Sequence, residues 1–449
     1  MAHHAVKKGL DIPIAGRASG EPIQLDPPGT VAWNPTEFRG IVPKLAAREG
    51  DEVQVGSPLF FDKANPSIVF RSPVAGKVVE VRRGRRRVIT DLVVERTGDE
   101  QVELQSFAPD ELKGMSAEAA SEAILQSGWW GALRTRPLNH VARPEQAPQS
   151  ILISAFETGP AQPGAAELMT AEDAEALQAA VHVLGALTSG AVYLAAGGDH
   201  PALSGLSGVE RHDFSGPHPA GDPTVQINLV DPPRGTNRVW YMRAWDAVAL
   251  GHTLLSGRFH AERVYAAVGA GVKTPRLVRT VLGAPMKHIV GDTQGTEQRW
   301  IRGSVLTGEA VDANRWAPFY ARAIHVLPAE VPRSFLGWAL PMLGSWSFHR
   351  AFLSGFTRPS RAVDMRPGLY GGERAMVPTG VYGKVVATPD ILPEFLFKSV
   401  IAGDLEESIQ LGLLDMSEEE AALCSYICPS KIEFDVILRD GLEIYEREA

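Results

Sequence analysis

The chain has two cysteines, and both sit near its end in Cys424-Ser425-Tyr426-Ile427-Cys428-Pro429. Thiols four residues apart are metal or redox chemistry in outline, and the segment looks like the remains of an iron–sulfur motif with half its ligands missing. A cubane cluster takes four thiolates. A structural zinc site takes four ligands. The pair completes neither alone. A disulfide between them is not expected in a reducing cytosol. Cys428 follows a helix C-terminus and lacks the positive end that activates a thiol. The tail therefore reads as a fold inherited from an electron-transfer protein, without the metal.

Other chemistry-bearing residues are scattered. Gly269-Ala270-Gly271 follows a strand and would suit a phosphate if it opened a helix. Pro275 comes too soon, however, and no third glycine stands at the required spacing. Gly197-Gly198, before Asp199 and His200, lacks the fingerprint too, so no nucleotide is expected at either place. His212 and His218 have no third ligand nearby and read as loop histidines. Lys63, in Phe61-Asp62-Lys63-Ala64-Asn65-Pro66, is either a modified carrier lysine or a plain turn residue. Arg82-Arg83-Gly84-Arg85-Arg86-Arg87 puts five arginines within six residues. That run is a solvated hairpin tip, or a contact for anionic lipid headgroups or an acidic partner.

The elements that must position these residues follow from pattern. Gly50-Asp51-Glu52-Val53 through Leu59-Phe60 and Ser72-Pro73-Val74-Ala75-Gly76-Lys77-Val78 rhyme, each alternating Val with polar residues as half-buried strands do. The pair resembles the barrel-sandwich folds of biotinyl and lipoyl carriers. Ala117–Gln126 is an amphipathic helix. Ile151–Phe156 and Ala191–Ala196 read as strands around a helix over Ala171–Leu187. The run Val225–Val230 is taken to continue the strand–helix–strand alternation of a parallel α/β layer. Arg263–Val272 and Arg299–Leu306 resemble the strands of the soluble-ligand-binding β-grasp (SLBB) module. Helices are expected over Pro393–Ala402, Leu405–Leu414, Ser417–Tyr426 and Lys431–Arg447. Ser417 would be an N-cap, with Glu418, Glu419 and Glu420 in the first turn.

Length allows about three domains, and these patterns divide it into four. The fold class is a multidomain α/β chain. A barrel-sandwich hybrid covers 1–105, a Rossmann-like α/β domain 106–257, a β-grasp SLBB-like domain 258–330, and a mainly helical domain 331–449. A net charge of −9 argues against a general nucleic-acid binder. Met1–Lys8 lack the apolar core of a signal peptide, and no chemistry is assigned to His3-His4. Ala179–Gly198 carries no charge but breaks at Thr188-Ser189-Gly190. It reads as a buried helix and a strand rather than a membrane span.

These pieces resemble the A subunits of the sodium-translocating NADH:quinone oxidoreductases (Na+-NQR). The resemblance rests on Val6-Lys7-Lys8-Gly9-Leu10-Asp11-Ile12-Pro13-Ile14-Ala15-Gly16 and on SPVAGKVVE at 72–80. It also rests on RTRP at 134–137, GPHPAG at 216–221, PRLVRT at 275–280 and C-x-x-x-CP-x-K-x-E at 424–433, covering nearly the whole chain in order. It implies a peripheral subunit on the cytoplasmic side of the bacterial inner membrane. Its partners are the other chains of a six-subunit complex, integral membrane subunits among them. That complex passes electrons from NADH to ubiquinone and exports sodium, with NADH, FAD and FMN in other subunits. The resemblance also implies non-covalent quinone binding and no flavin, metal or cluster in this chain. A quinone ring needs a flat apolar wall and donors for its carbonyls. Trp129, Trp130, Arg134 and Arg136 are the candidates, with Trp33 and Phe38 as an opposite lip. Two alternatives stand beside this: a purely structural scaffold, with quinone reduced on a membrane subunit, and a lipoyl- or biotin-type carrier modified at Lys63.

Overall fold

The computed structural model describes residues 2–330, 336, 348, 362–366 and 374–448. Most of 331–373, the front of the expected helical domain, lies outside the described residues.

The rhyming valine stretches form two small antiparallel sheets. One orders Thr30–Trp33, Ile89–Gly98, Ala75–Arg83 and Glu52–Val53. The other orders Pro43–Leu45, Pro58–Asp62 and Val69–Arg71. Alternation sets the faces: Val78, Leu92 and Val94 are buried, whereas Lys77, Val79 and Glu95 are exposed. Trp33, Phe38, Leu59, Phe60 and Phe70 fill the space between. This is the expected barrel-sandwich hybrid. Lys63 is exposed on a turn whose Asp62 carboxylate accepts from the Ala64 and Asn65 amides.

The α/β layer is a seven-stranded sheet. Ala2–Ala5, Glu210–Ser215, Val192–Ala196, Ser150–Ser154 and Val239–Arg243 run parallel, and Arg134–Arg136 and His140–Val141 close one edge antiparallel. Ile151 and Ile153 face the helices Ala174–Ala186 and Ala244–Ser256, while Leu152 faces Phe214 and Ile227 on the other side. One expectation fails here. Val225–Val230 is not a strand but the body of a helix, Pro223–Val230. The Asp222 carboxylate accepts from the Thr224 amide at 2.8 Å, and Pro223 sits in the first turn. Val225-Gln226-Ile227-Asn228-Leu229 alternates apolar and amide residues as a strand does, and the cap decides for a helix. The missing strand is Val239–Arg243. His212 also lies on a strand rather than in a loop, with its Nδ1 2.9 Å from His4 Nε2.

The third sheet orders Glu309–Val311, Gln298–Arg302, Ala323–Pro328, Glu262–Val268, Arg276–Val281 and Ile23–Gln24. It is the expected β-grasp unit, extended at one edge by a strand from the start of the chain. The last elements are the helices Pro393–Ala402, Leu405–Gln410, Glu418–Ile427 and Phe434–Glu448. Ser417 caps the third: its hydroxyl accepts from the Glu420 amide, and the Glu420 carboxylate accepts from the Ser417 amide. Both cysteines are fully buried here. Tyr382 donates its hydroxyl to Cys428 Sγ at 3.2 Å, and Phe397 stacks on Phe434 beside them. Burial pushes the Cys424 thiol well above its ordinary value. No helix among the described residues is long and apolar enough to cross a membrane.

Candidate functional site

The four units meet around one polar cleft of about 390 Å³. The chain is led there by two motifs far apart in sequence. Gly9 and Gly216 adopt left-handed backbone at φ +140° and +130°. A Cβ on Gly216 would lie 2.1 Å from the Val6 carbonyl oxygen, and one on Gly9 would lie 2.3 Å from that of His218. The Leu10 amide donates to the His218 carbonyl, and Asp11 accepts from the His218 amide at 3.0 Å. The N-terminal motif thus clasps the 216–221 loop and turns His218 towards the cleft.

His218 is buried, with its Nε2 3.2 Å from the Glu419 carboxylate, which also accepts from Thr307 at 2.5 Å and Ser304 at 3.3 Å. Burial alone would depress the imidazole, but Glu419 lifts it above 6.5. Burial likewise opposes the Glu419 charge, yet His218 and the two hydroxyls hold its pKa below 4.5. Other charges in and behind the cleft are also matched. Arg39 pairs with Glu418 at 2.6 Å, Arg243 with Glu157 at 3.0 Å, and Arg302 with Glu37 at 3.4 Å. Arg263 and Arg322 share the buried Asp246.

Arg134 is different. Its guanidinium lies between two rings, 4.3 Å from the centre of Tyr320 and 4.7 Å from that of Tyr241. Among the described residues no carboxylate pairs with it. The hydroxyls beside it are committed: Tyr320 donates to the Gly131 carbonyl at 2.6 Å and Tyr241 to Asn139 at 2.9 Å. Burial raises both phenols, so both stay protonated. Arg134 is therefore a donor fork at the cleft wall, held by two rings and without a hydrogen-bond partner among the described residues.

Of the six residues expected to bind quinone, the structure brings only Arg134 to this cleft. Arg136, two residues further along the same strand, is buried. It donates to the backbone carbonyls of Leu414 at 2.8 Å and Met416 at 3.3 Å, tying the sheet to the helical unit. Trp129 and Trp130 are fully buried, with their indole N–H groups given to Thr253 and the Ala142 carbonyl. Trp33 and Phe38 are core residues as well. Large apolar rings next to well-packed strands are drawn inside, and the aromatic wall expected of the four offers no face to a ligand. Phe38 nevertheless stands behind the cleft, 5.5 Å from the Tyr320 ring, with Phe319 at 5.0 Å. Tyr241 and Tyr320 were missed in the sequence. Tyr241 is placed by strand pairing with Arg134–Arg136, which the sequence does not show. Tyr320 lies in a segment with no periodicity.

Comparison with known proteins bears on this architecture. Residues 4–97 match the NqrA N-terminal barrel-sandwich hybrid domain, 115–259 the NqrA second alpha/beta domain, and 264–313 the NQRA C-terminal domain. The chain is 36% identical over 447 residues to the A subunit of the Na(+)-translocating NADH-quinone reductase of Histophilus somni (strain 2336). It is 37% identical over 452 residues to that of Vibrio atlanticus (strain LGP32), and in both cases 99% of each chain is covered. A chain of an NAD+-reducing [NiFe]-hydrogenase aligns with 77% of this chain at 13% identity and a TM-score of 0.36, and 66% of that chain's length is spanned. With near-complete coverage at this identity, the chain belongs to the NqrA family, the A subunits of the Na+-translocating NADH-quinone reductases.

Proposed function

We propose that this chain is the peripheral subunit of a Na+-translocating NADH:ubiquinone reductase, held on the cytoplasmic side of the bacterial inner membrane by the integral membrane subunits. Its part is to take up the ubiquinone headgroup in the four-unit cleft, in a reduction coupled to sodium export. NADH and the flavins belong to other subunits. The observation that carries this reading is Arg134, a donor fork without an acid partner among the described residues, clamped between Tyr241 and Tyr320. A quinone carbonyl accepts hydrogen bonds, and a fixed cation stabilises the negative charge the ring gains on reduction. Tyr241 is as buried as the tryptophans, so the partly exposed Tyr320 ring is the aromatic surface left to the headgroup.

A second reading is favoured by the matched ion pairs. Arg39–Glu418, Arg243–Glu157 and His218–Glu419 line the junction and consume their own charges. A scaffold clamped to its partners needs nothing more, and quinone would then react elsewhere. Steady-state kinetics of the purified complex separate the two. With Arg134→Ala, a quinone cleft gives a raised KM for ubiquinone with the subunits still co-purifying. A scaffold gives unchanged KM, and loss of the complex only when the chain is deleted.

A further inference from the structure

The arginine run remains without a role. Ala75–Arg83 and Ile89–Gly98 form the longest antiparallel pair in the barrel sandwich, and the run closes their far end. Residues 83–88 are exposed without a break. Arg82 is held back: it pairs with Glu80 at 2.9 Å and lies over the Trp316 ring at 4.8 Å. Arg315, from the β-grasp unit, is neutralised by Asp91 at 2.7 Å. Among the described residues, Arg83, Arg85, Arg86 and Arg87 have no carboxylate partner. Arg83 reaches only the Arg87 carbonyl. Arg86 and Arg87 sit at φ +55° and +61°, a conformation that strains a side-chain-bearing residue and favours glycine or asparagine. The turn is thus built from residues poorly suited to turning and well suited to carrying charge. Val88, 46% exposed, adds one apolar side chain beside them.

We propose that this hairpin tip is a contact for an anionic lipid surface. The inference rests on the reading that the chain works beside a membrane. A convex tip of free cations has no pocket and no shape to complement. A stable protein interface needs roughly 800 Å² per partner around a desolvated centre, and one exposed valine does not supply that. A planar sheet of anionic headgroups asks only for charge density and adds about fivefold in affinity for each basic residue at the surface. The remainder of the chain is acidic, since the net charge of −9 already includes the run. Repulsion of the rest would leave the tip as the point of approach.

The test is sedimentation of the purified full chain with vesicles of phosphatidylcholine, alone or mixed with phosphatidylglycerol. The chain is expected to bind only the mixed vesicles, and less as salt rises. Arg85→Ala/Arg86→Ala/Arg87→Ala should lose about 100-fold in partition, while the triple Lys variant at the same positions keeps most of it. Circular dichroism of each variant, unchanged from wild type, shows that the loss is not unfolding. The proposal is overturned if wild type ignores the mixed vesicles, if the triple Ala variant binds them equally, or if the Lys variant fails to bind. Wild type that ignores vesicles while the Ala variant detaches from its partner subunits would make the tip a protein contact instead. The peripheral-subunit reading is judged separately, by co-purification of the wild-type chain.

Discussion

Arg134 and Arg136 stand two residues apart on one strand and meet different fates. The strand is paired on both sides, with Val239–Arg243 and His140–Val141, so the units packed over it decide which guanidinium reaches the cleft. One is held by tyrosine rings, and the other is sealed against two carbonyls. Their substitutions should therefore separate. Arg134→Ala should weaken quinone binding about tenfold or more, as loss of a charged hydrogen bond does, and barely move the melting temperature. Arg136→Ala should cost about 2 kcal/mol, because buried carbonyls are left without donors. Denaturant midpoints and ligand titrations on both variants check this, and equal effects of the two on binding would count against it. The sequence carried the residue types but not their burial. It named both arginines and all four large aromatics, and only packing revealed which ones were sealed in.

At the scale of elements, patterns backed by several signals were legible and one short alternating run was not. The capped helix at Ser417 and the Val-alternating hairpins each carry several agreeing signals. Val225–Val230 carried the short alternation of a strand, and its identity lay in Asp222-Pro223, just outside the run. Asp222→Ala removes that cap and should destabilise the protein by about 1 kcal/mol, read as a lower unfolding midpoint. No shift would show that tertiary packing alone holds the helix. Gly216→Ala forces a Cβ into the Val6 carbonyl at a left-handed φ. It should cost more, about 2 kcal/mol or above. The glycine was visible in the sequence as part of a motif, but its reason appears only when the N-terminal segment is seen against it.

Across the whole molecule, the His218–Glu419 pair binds the 216–221 loop of the sheet, the Ser304–Thr307 turn of the β-grasp unit and the helix Glu418–Ile427. Its pH dependence has a definite sign. His218 is raised in the fold, so its contribution is complete below the ordinary value of 6.5 and is lost as pH climbs through the folded value above it. Glu419 is lowered, so its contribution is complete above 4.5 and is lost as pH falls through its folded value. Both are in force between those two ordinary values. The gap in melting temperature between wild type and His218→Gln should thus be widest there and shrink at alkaline pH. A gap that does not change with pH would mean that the histidine is neutral in the fold. The sequence made the fold class legible, since the barrel sandwich, the α/β layer and the β-grasp strands each have their own pattern, but not the junction. A pair such as His218 and Glu419, 201 positions apart, leaves no periodic trace.

The binding of a short-chain ubiquinone to the purified chain tests the central claim most directly, with wild type and Arg134→Ala compared in one titration. Saturable binding by wild type, weakened about tenfold or more by the substitution, is the outcome the cleft requires. No saturable binding, or equal affinity in both proteins, contradicts a quinone site at Arg134.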